Sequence, residues 1–189
     1  MNADTLPALF RLQADRLGRR VALRFKKDGL YRDLRWDEYR DQVYACAAAL
    51  VQHGVQPGDR VAILAENRLE WLVADMAILA AGAVNVPLHA PLSARQAHFQ
   101  LDNAGVKWIF ASTPAQYQKV QQVRRELPEL QGAVIFDDTP AAAAISWRGF
   151  LHRGRLANAQ VQEERLRREA HLTADALATI IYTSGTTGN

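Results

Sequence analysis

The chain has 189 residues, 49% of them hydrophobic and 23% charged, with a formal net charge of +3; these are the proportions of a globular domain, not of a disordered or fibrous chain. Basic residues are dispersed, Arg124-Arg125 and Arg167-Arg168 standing beside Glu126, Glu164 and Glu169, so charge gives no warrant for nucleic-acid binding. One cysteine, Cys46, excludes an intramolecular disulfide, Met1-Asn2-Ala3-Asp4 lacks the basic head of a signal peptide, and the greasiest stretch, Trp71 to Leu88, is interrupted by Asp75, Gly82, Asn85 and Pro87; a cytoplasmic chain without a membrane span is expected.

In chain order, apolar positions at Leu6, Leu9, Phe10, Ala14 and Leu17 predict a short amphipathic helix closed by Gly18. Val21 to Phe25 and Leu30 to Leu34 flank Asp28-Gly29, a hairpin signal because the turn needs positive φ. A helix follows to about His53, with Tyr39, Val43, Cys46 and Leu50 inward, and Gly54 ends it. Beyond the turn Pro57-Gly58-Asp59 the pattern becomes strand and helix in alternation. Val61 to Leu64 is a strand, Arg68 to Ala81 a helix, and Ala83 to Pro87 a strand. Ser93 to Gln96 has capping-box form and opens a helix ending at Gly105. Val106 to Ala111 is the third strand, Thr113-Pro114 opens a helix that Pro128 ends, and Ala133 to Phe136 is the fourth strand. After a connection at Pro140 to Ala144, a short helix over Ser146 to His152 and a charged surface helix over Asn158 to Ala170 lead to a fifth strand, Ala178 to Tyr182.

Strands that are nearly all apolar, alternating with helices, predict an α/β fold: a largely parallel sheet with helices on both faces, preceded by a helix and a β-hairpin. The division falls at residue 56, with 1–56 holding the front helix, hairpin and long helix, and 57–189 the α/β part. Ligands of such sheets bind beyond the carboxyl ends of the strands.

At that end of the last strand stands Tyr182-Thr183-Ser184-Gly185-Thr186-Thr187-Gly188-Asn189. Two glycines let the backbone approach an anion closely, and the hydroxyls add donors, so the composition suits a phosphate. It is not a Walker A loop, because Asn189 follows Gly188 where that loop carries lysine. On composition alone an ordinary polar turn stays open as well. Other chemistries find little support. His53, His89, His98, His152 and His171 are too scattered for a metal motif, and Ser184 lacks the Gly-x-Ser-x-Gly setting of an acyl-transfer nucleophile. Trp36, Trp71, Trp108 and Trp147 fall in separate elements and read as core. A non-catalytic mononucleotide- or phosphate-binding module of flavodoxin-like architecture is the alternative from another class, although its loop normally follows the first strand.

The order Tyr-Thr-Ser-Gly-Thr-Thr-Gly resembles the phosphate loop of the adenylate-forming superfamily, which includes the AMP-forming acyl-CoA synthetases. The likeness extends over Gly54 to Ala62, Glu66 to Trp71, Ala80 to Pro87 and Asp175 to Tyr182. The wording Asn67-Arg68-Leu69-Glu70-Trp71 is most similar to bacterial long-chain fatty acid–CoA ligases. His89-Ala90-Pro91 departs from them, standing where an aromatic residue and a threonine are commoner, and leaves the class of acid open. The resemblance implies ATP and Mg²⁺ as cofactors and CoA as co-substrate. A carboxylate and ATP give acyl-adenylate and pyrophosphate, and a thiol then displaces AMP. It implies ATP-phosphate contacts from Thr183, Ser184, Gly185, Thr186, Thr187 and Gly188, with Tyr182 packing under the loop. It implies no catalytic and no metal-binding residue within these 189, since the loop lysine, the Mg²⁺ carboxylate, the ribose aspartate and the carboxy-terminal domain follow the loop in the family. The chain is therefore expected to be an inactive amino-terminal fragment, cytoplasmic or peripheral to a membrane. If the hairpin and long helix pack on a later subdomain as in the family, an uncovered apolar surface favours self-association.

Overall fold

The computed structural model describes residues 4–138 and 143–183. Helix α1 (Leu6–Leu17) starts at Thr5, whose side chain accepts from the Ala8 N–H, and stops at Gly18. Strands β1 (Val21–Lys27) and β2 (Leu30–Arg35) form the expected hairpin, turned through Asp28 and Gly29 at φ 53° and 79°. Then come α2 (Trp36–Gln52), β3 (Arg60–Ala65), α3 (Leu69–Ala80), β4 (Val84–His89) and α4 (Ala94–Asn103). They are followed by β5 (Val106–Ala111), α5 (Pro114–Val123), a 3-10 turn over Arg124–Glu126, and β6 (Gly132–Ile135). A two-residue strand β7 (Ile145–Ser146), α6 (Trp147–Arg155) and α7 (Ala159–His171) close the described elements.

The five-stranded sheet runs β4-β3-β5-β6-β7 with every pair parallel. The chain steps from β3 outward to β4, then returns across β3 to β5, so its winding reverses between β3 and β5. Right-handed crossovers then put α3 on one face and α4 and α5 on the other. Side-chain alternation sorts the core accordingly. Val61, Ile63, Trp108, Phe110 and Val134 pack with α2, α3 and α6, whereas Ala62, Leu64, Val86, Ile109 and Ile135 pack with α4 and α5. Helix α2, in the front segment, has Val43 and Ala45 to Leu50 all buried. Small residues let it come close to α6: a Cβ added at Gly154 would lie 1.7 Å from the Ala45 carbonyl oxygen.

Three features differ from expectation. The fifth strand is reduced to one parallel bridge between Thr179 and Asn85 on the outer edge of β4. The Asn85 N–H donates to Ala178 O at 3.0 Å and the Ile180 N–H to Asn85 O at 2.9 Å. The next outward-facing donor would be the N–H of Pro87, which proline lacks, so the ladder ends there. Strand β7 was not foreseen because two residues carry no periodic signal. Helix α7 forms as predicted, but it is no plain surface helix, since Arg165, Arg168 and Glu169 are buried. Arg168 Nη1 donates to Val55 O at 2.6 Å and lies 3.4 Å from Ala81 O, while its Nε pairs with Glu164 at 2.7 Å. The Arg165 guanidinium stacks 4.0 Å over the Tyr44 ring. This helix docks through two guanidinium groups, that of Arg168 on carbonyl oxygens just beyond the ends of α2 and α3 and that of Arg165 on the Tyr44 ring.

Candidate functional site

Residues 178–183 run along β4 toward the carboxyl ends of the parallel strands. Their burial alternates as in an extended segment, with Thr179, Ile181 and Thr183 exposed. Ile180 and Tyr182 turn inward against the core beneath α4 and α5. The Tyr182 hydroxyl donates to Asn103 Oδ1 at 2.6 Å, and its ring meets Phe99 edge-on with centroids 6.3 Å apart. Of the residues expected to bind phosphate, Thr183 sits at the rim of a groove of about 800 Å³, walled by Asn67, Trp71, His89, Arg95 and Phe99. Ser184, Gly185, Thr186, Thr187 and Gly188 lie outside the described residues.

Beneath this segment Asn85, 2% exposed, donates from Nδ2 to Asp75 Oδ1 on α3 at 2.7 Å. Burial pushes the Asp75 carboxyl above its ordinary range, and the hydrogen bond from Asn85 offsets that only in part. Asn85 Oδ1 is buried without a hydrogen-bond partner. In the sequence both residues stood out only as interruptions of an apolar stretch. Their role in holding β4, α3 and the approach to the loop together has no local signal.

The point where the winding reverses, at the ends of β3 and β5, is where a doubly wound sheet usually holds a ligand. Here it is filled by the chain's own side chains. Gln116 Nε2 donates to Glu66 Oε1 at 2.8 Å. Arg68 Nη1 donates to Ser112 O at 3.1 Å and to Asp137 Oδ1 at 2.9 Å, and Arg68 Nε to Glu70 Oε2 at 2.7 Å. A flavodoxin-like ligand at that crevice would have to displace this network. Among the described residues no three His, Cys, Asp or Glu side chains converge as a metal site, and no helix is long and apolar enough to cross a membrane.

The candidate site is the passage at Tyr182 and the groove beside it. The sequence pattern of the family described as AMP-binding enzyme matches residues 10–189. The chain belongs to that family. Among AMP-binding relatives, the long-chain-fatty-acid–CoA ligase FadD15 of Mycobacterium bovis is 37% identical over 162 residues, covering 85% of this chain and 26% of the relative. The long-chain-fatty-acid–CoA ligase ACSBG2 of Rattus norvegicus is 30% identical over 190 residues, covering 98% of this chain and 28% of the relative. Among solved structures, the anthranilate CoA ligase AuaEII, in complex with anthranoyl-AMP, matches with a TM-score of 0.78 at 20% identity, over 100% of this chain and 35% of that chain. That likeness shows the AMP-binding fold, including the parallel sheet with helices on both faces. The chain spans about a quarter of the length of the curated relatives it matches.

Proposed function

We propose that this chain contributes the sheet and phosphate loop of an ATP-dependent, AMP-forming acyl-CoA ligase acting on fatty acids. The observation that carries the reading is the Tyr182-to-Gly188 motif in a sequence whose preceding residues, 178–183, run along β4 to the carboxyl end of a parallel sheet. Two relatives described as long-chain-fatty-acid–CoA ligases support the substrate class. In this reading Ser184, Thr186 and Thr187 offer hydroxyls, and Gly185 and Gly188 backbone amides, to the β- and γ-phosphates, with Thr183 at the root of the loop. Bound Mg²⁺ would neutralise charge on the phosphate oxygens. These residues orient the triphosphate for attack by the carboxylate and hold the negative charge that builds on departing pyrophosphate. One fixed donor of this kind is worth about 10²–10³ in rate.

Magnesium, CoA, a cytoplasmic or membrane-peripheral location, and self-association belong to the same proposal, as does the division at residue 56. A chain of these 189 residues alone is expected to release no pyrophosphate from ATP and a fatty acid. The test is calorimetric titration of Mg-ATP and Mg-pyrophosphate into this chain and into a longer one carrying the residues that follow the loop in the family. Binding and pyrophosphate release by the longer chain support the reading; a longer chain that binds neither ligand overturns it.

A further inference from the structure

The Tyr182 hydroxyl ends on a side chain that the motif gives no reason to notice. We propose that Asn103, the last residue of α4, is a positioning residue for the phosphate loop and acts through Tyr182; this rests on the reading of residues 183–188 as that loop.

Backbone support for the approach segment ends early. Asn85 makes both hydrogen bonds of the Thr179 bridge, and Pro87 has no N–H to offer Ile180. Among the described residues, 181–183 make no backbone-to-backbone hydrogen bond. The next attachment is therefore by side chain: the Tyr182 hydroxyl on Asn103 Oδ1 at 2.6 Å and its ring against Phe99.

The receiving end is firm. Leu101 and Ala97 root α4 in the core at 1% and 0% exposure. Arg60, the first residue of β3, donates from Nε to Ala104 O at 2.6 Å and from Nη2 to Gly105 O at 3.0 Å, fixing the carbonyl end of the helix. Tyr182 is thus tied back to the sheet through Asn103 and Arg60. Releasing the latch frees residues 181–183, a reach of about 10 Å in extended backbone. Phosphate contacts depend on sub-ångström placement, and a shift of about 1 Å can cost about 10²-fold. The latch acts on the loop's position while leaving the fold intact.

The experiment compares the 189-residue chain with Asn103→Ala, Tyr182→Phe, the double variant, and Asn103→Asp, which keeps the acceptor. Amide exchange at Ile180, whose N–H bonds to Asn85 O, reads fraying of the approach segment without any ligand. Loss of one hydrogen bond is expected to speed exchange at Ile180 by about 3–10-fold. Ile63 in the centre of β3 is expected to be unaffected, the double variant to be no worse than either single change, and Asn103→Asp to restore protection. Mg-pyrophosphate affinity, in whichever chain binds it, is expected to fall by a similar factor in the same pattern. Unchanged Ile180 exchange overturns the latch. So does exchange that rises equally at Ile63, because the effect is then one of general stability. If no chain binds pyrophosphate, the phosphate reading fails, and Ile180 exchange still decides whether the latch exists. If exchange changes and a measured affinity does not, the latch holds the segment but does not position the loop, and the proposal is overturned.

Discussion

Gly154 offers a direct test of how the two helices over one face of the sheet are held. An alanine Cβ there would lie 1.7 Å from Ala45 O, 2.6 Å from Ala45 C and 3.1 Å from Ala49 N. Real Cβ contacts stay above 3.0 Å, so α6 and α2 must part by at least 3.0 minus 1.7, or 1.3 Å, along that contact. The atoms met are backbone and cannot swing aside like the end of a side chain. A radial gap of about 1 Å forfeits up to half of the dispersion attraction between facing atoms. Overpacking of this sort costs about 1–3 kcal/mol, and the helix-propensity gain of alanine over glycine returns about 1 kcal/mol. Backbone contact favours the upper end of that cost, giving a net destabilisation of about 2 kcal/mol. Gly149, on the same helix, is the control: its added Cβ meets only Ser146 Oγ at 3.0 Å and Ile145 Cγ2 at 3.9 Å. Gly149→Ala is expected to stay within about 1 kcal/mol of the parent. Equilibrium urea unfolding followed by tryptophan fluorescence measures both. Equal midpoints for the two variants would refute the close-contact argument.

Asp75→Asn is expected to stabilise the protein at pH 8 by about 1 kcal/mol, since it removes a buried charge while keeping an acceptor for Asn85 Nδ2. The folded carboxyl titrates above its unfolded range, so the stability it contributes is present at acid pH and is lost as pH rises through the raised value. The gain from the substitution must therefore shrink toward pH 4, and a gap that stays constant between pH 4 and 8 in thermal melts would contradict the assignment. Arg168→Ala, which strips the donor from Val55 O and leaves Glu164 with one arginine fewer, is expected to cost about 2–3 kcal/mol. Arg168→Lys is expected to recover only part of that, because an ammonium cannot serve both partners in the guanidinium's geometry; full recovery in urea titrations would show that charge alone docks α7.

The alternation of strand and helix was legible because strands buried on both faces, such as Val61 to Leu64 and Val106 to Ala111, read as unbroken apolar runs, and because Gly54, Gly82 and Gly105 punctuate the helices. The family was legible from the residue order of the Tyr182-to-Gly188 motif. What holds the loop's approach was not, because those partners are remote in sequence: Tyr182 with Asn103, and Thr179 with Asn85. No local pattern joins them. Asp75 and Asn85 read as polar breaks in a greasy segment, since a buried polar pair looks like a flaw until its two halves are seen to meet. Arg165 and Arg168 read as solvated for the opposite reason. Exposed and buried arginines differ only in what lies over them, and periodicity does not report that.

The bridge at Asn85 also bears on the order in which the chain is assembled. Thr179 follows Asn85 by 94 residues, 179 minus 85, so a growing polypeptide completes β4 long before the segment that covers its outer side has been synthesised. Contacts of such long sequence separation form late. Throughout that interval β4 presents an open edge, the kind of surface on which a neighbouring nascent chain can add a strand. Pro87 lies in the middle of that edge and offers it no N–H. The same residue that limits the approach segment to one bridge thus guards the unfinished sheet against the wrong partner, and residues 178–183 would be the last of the described segments to be set.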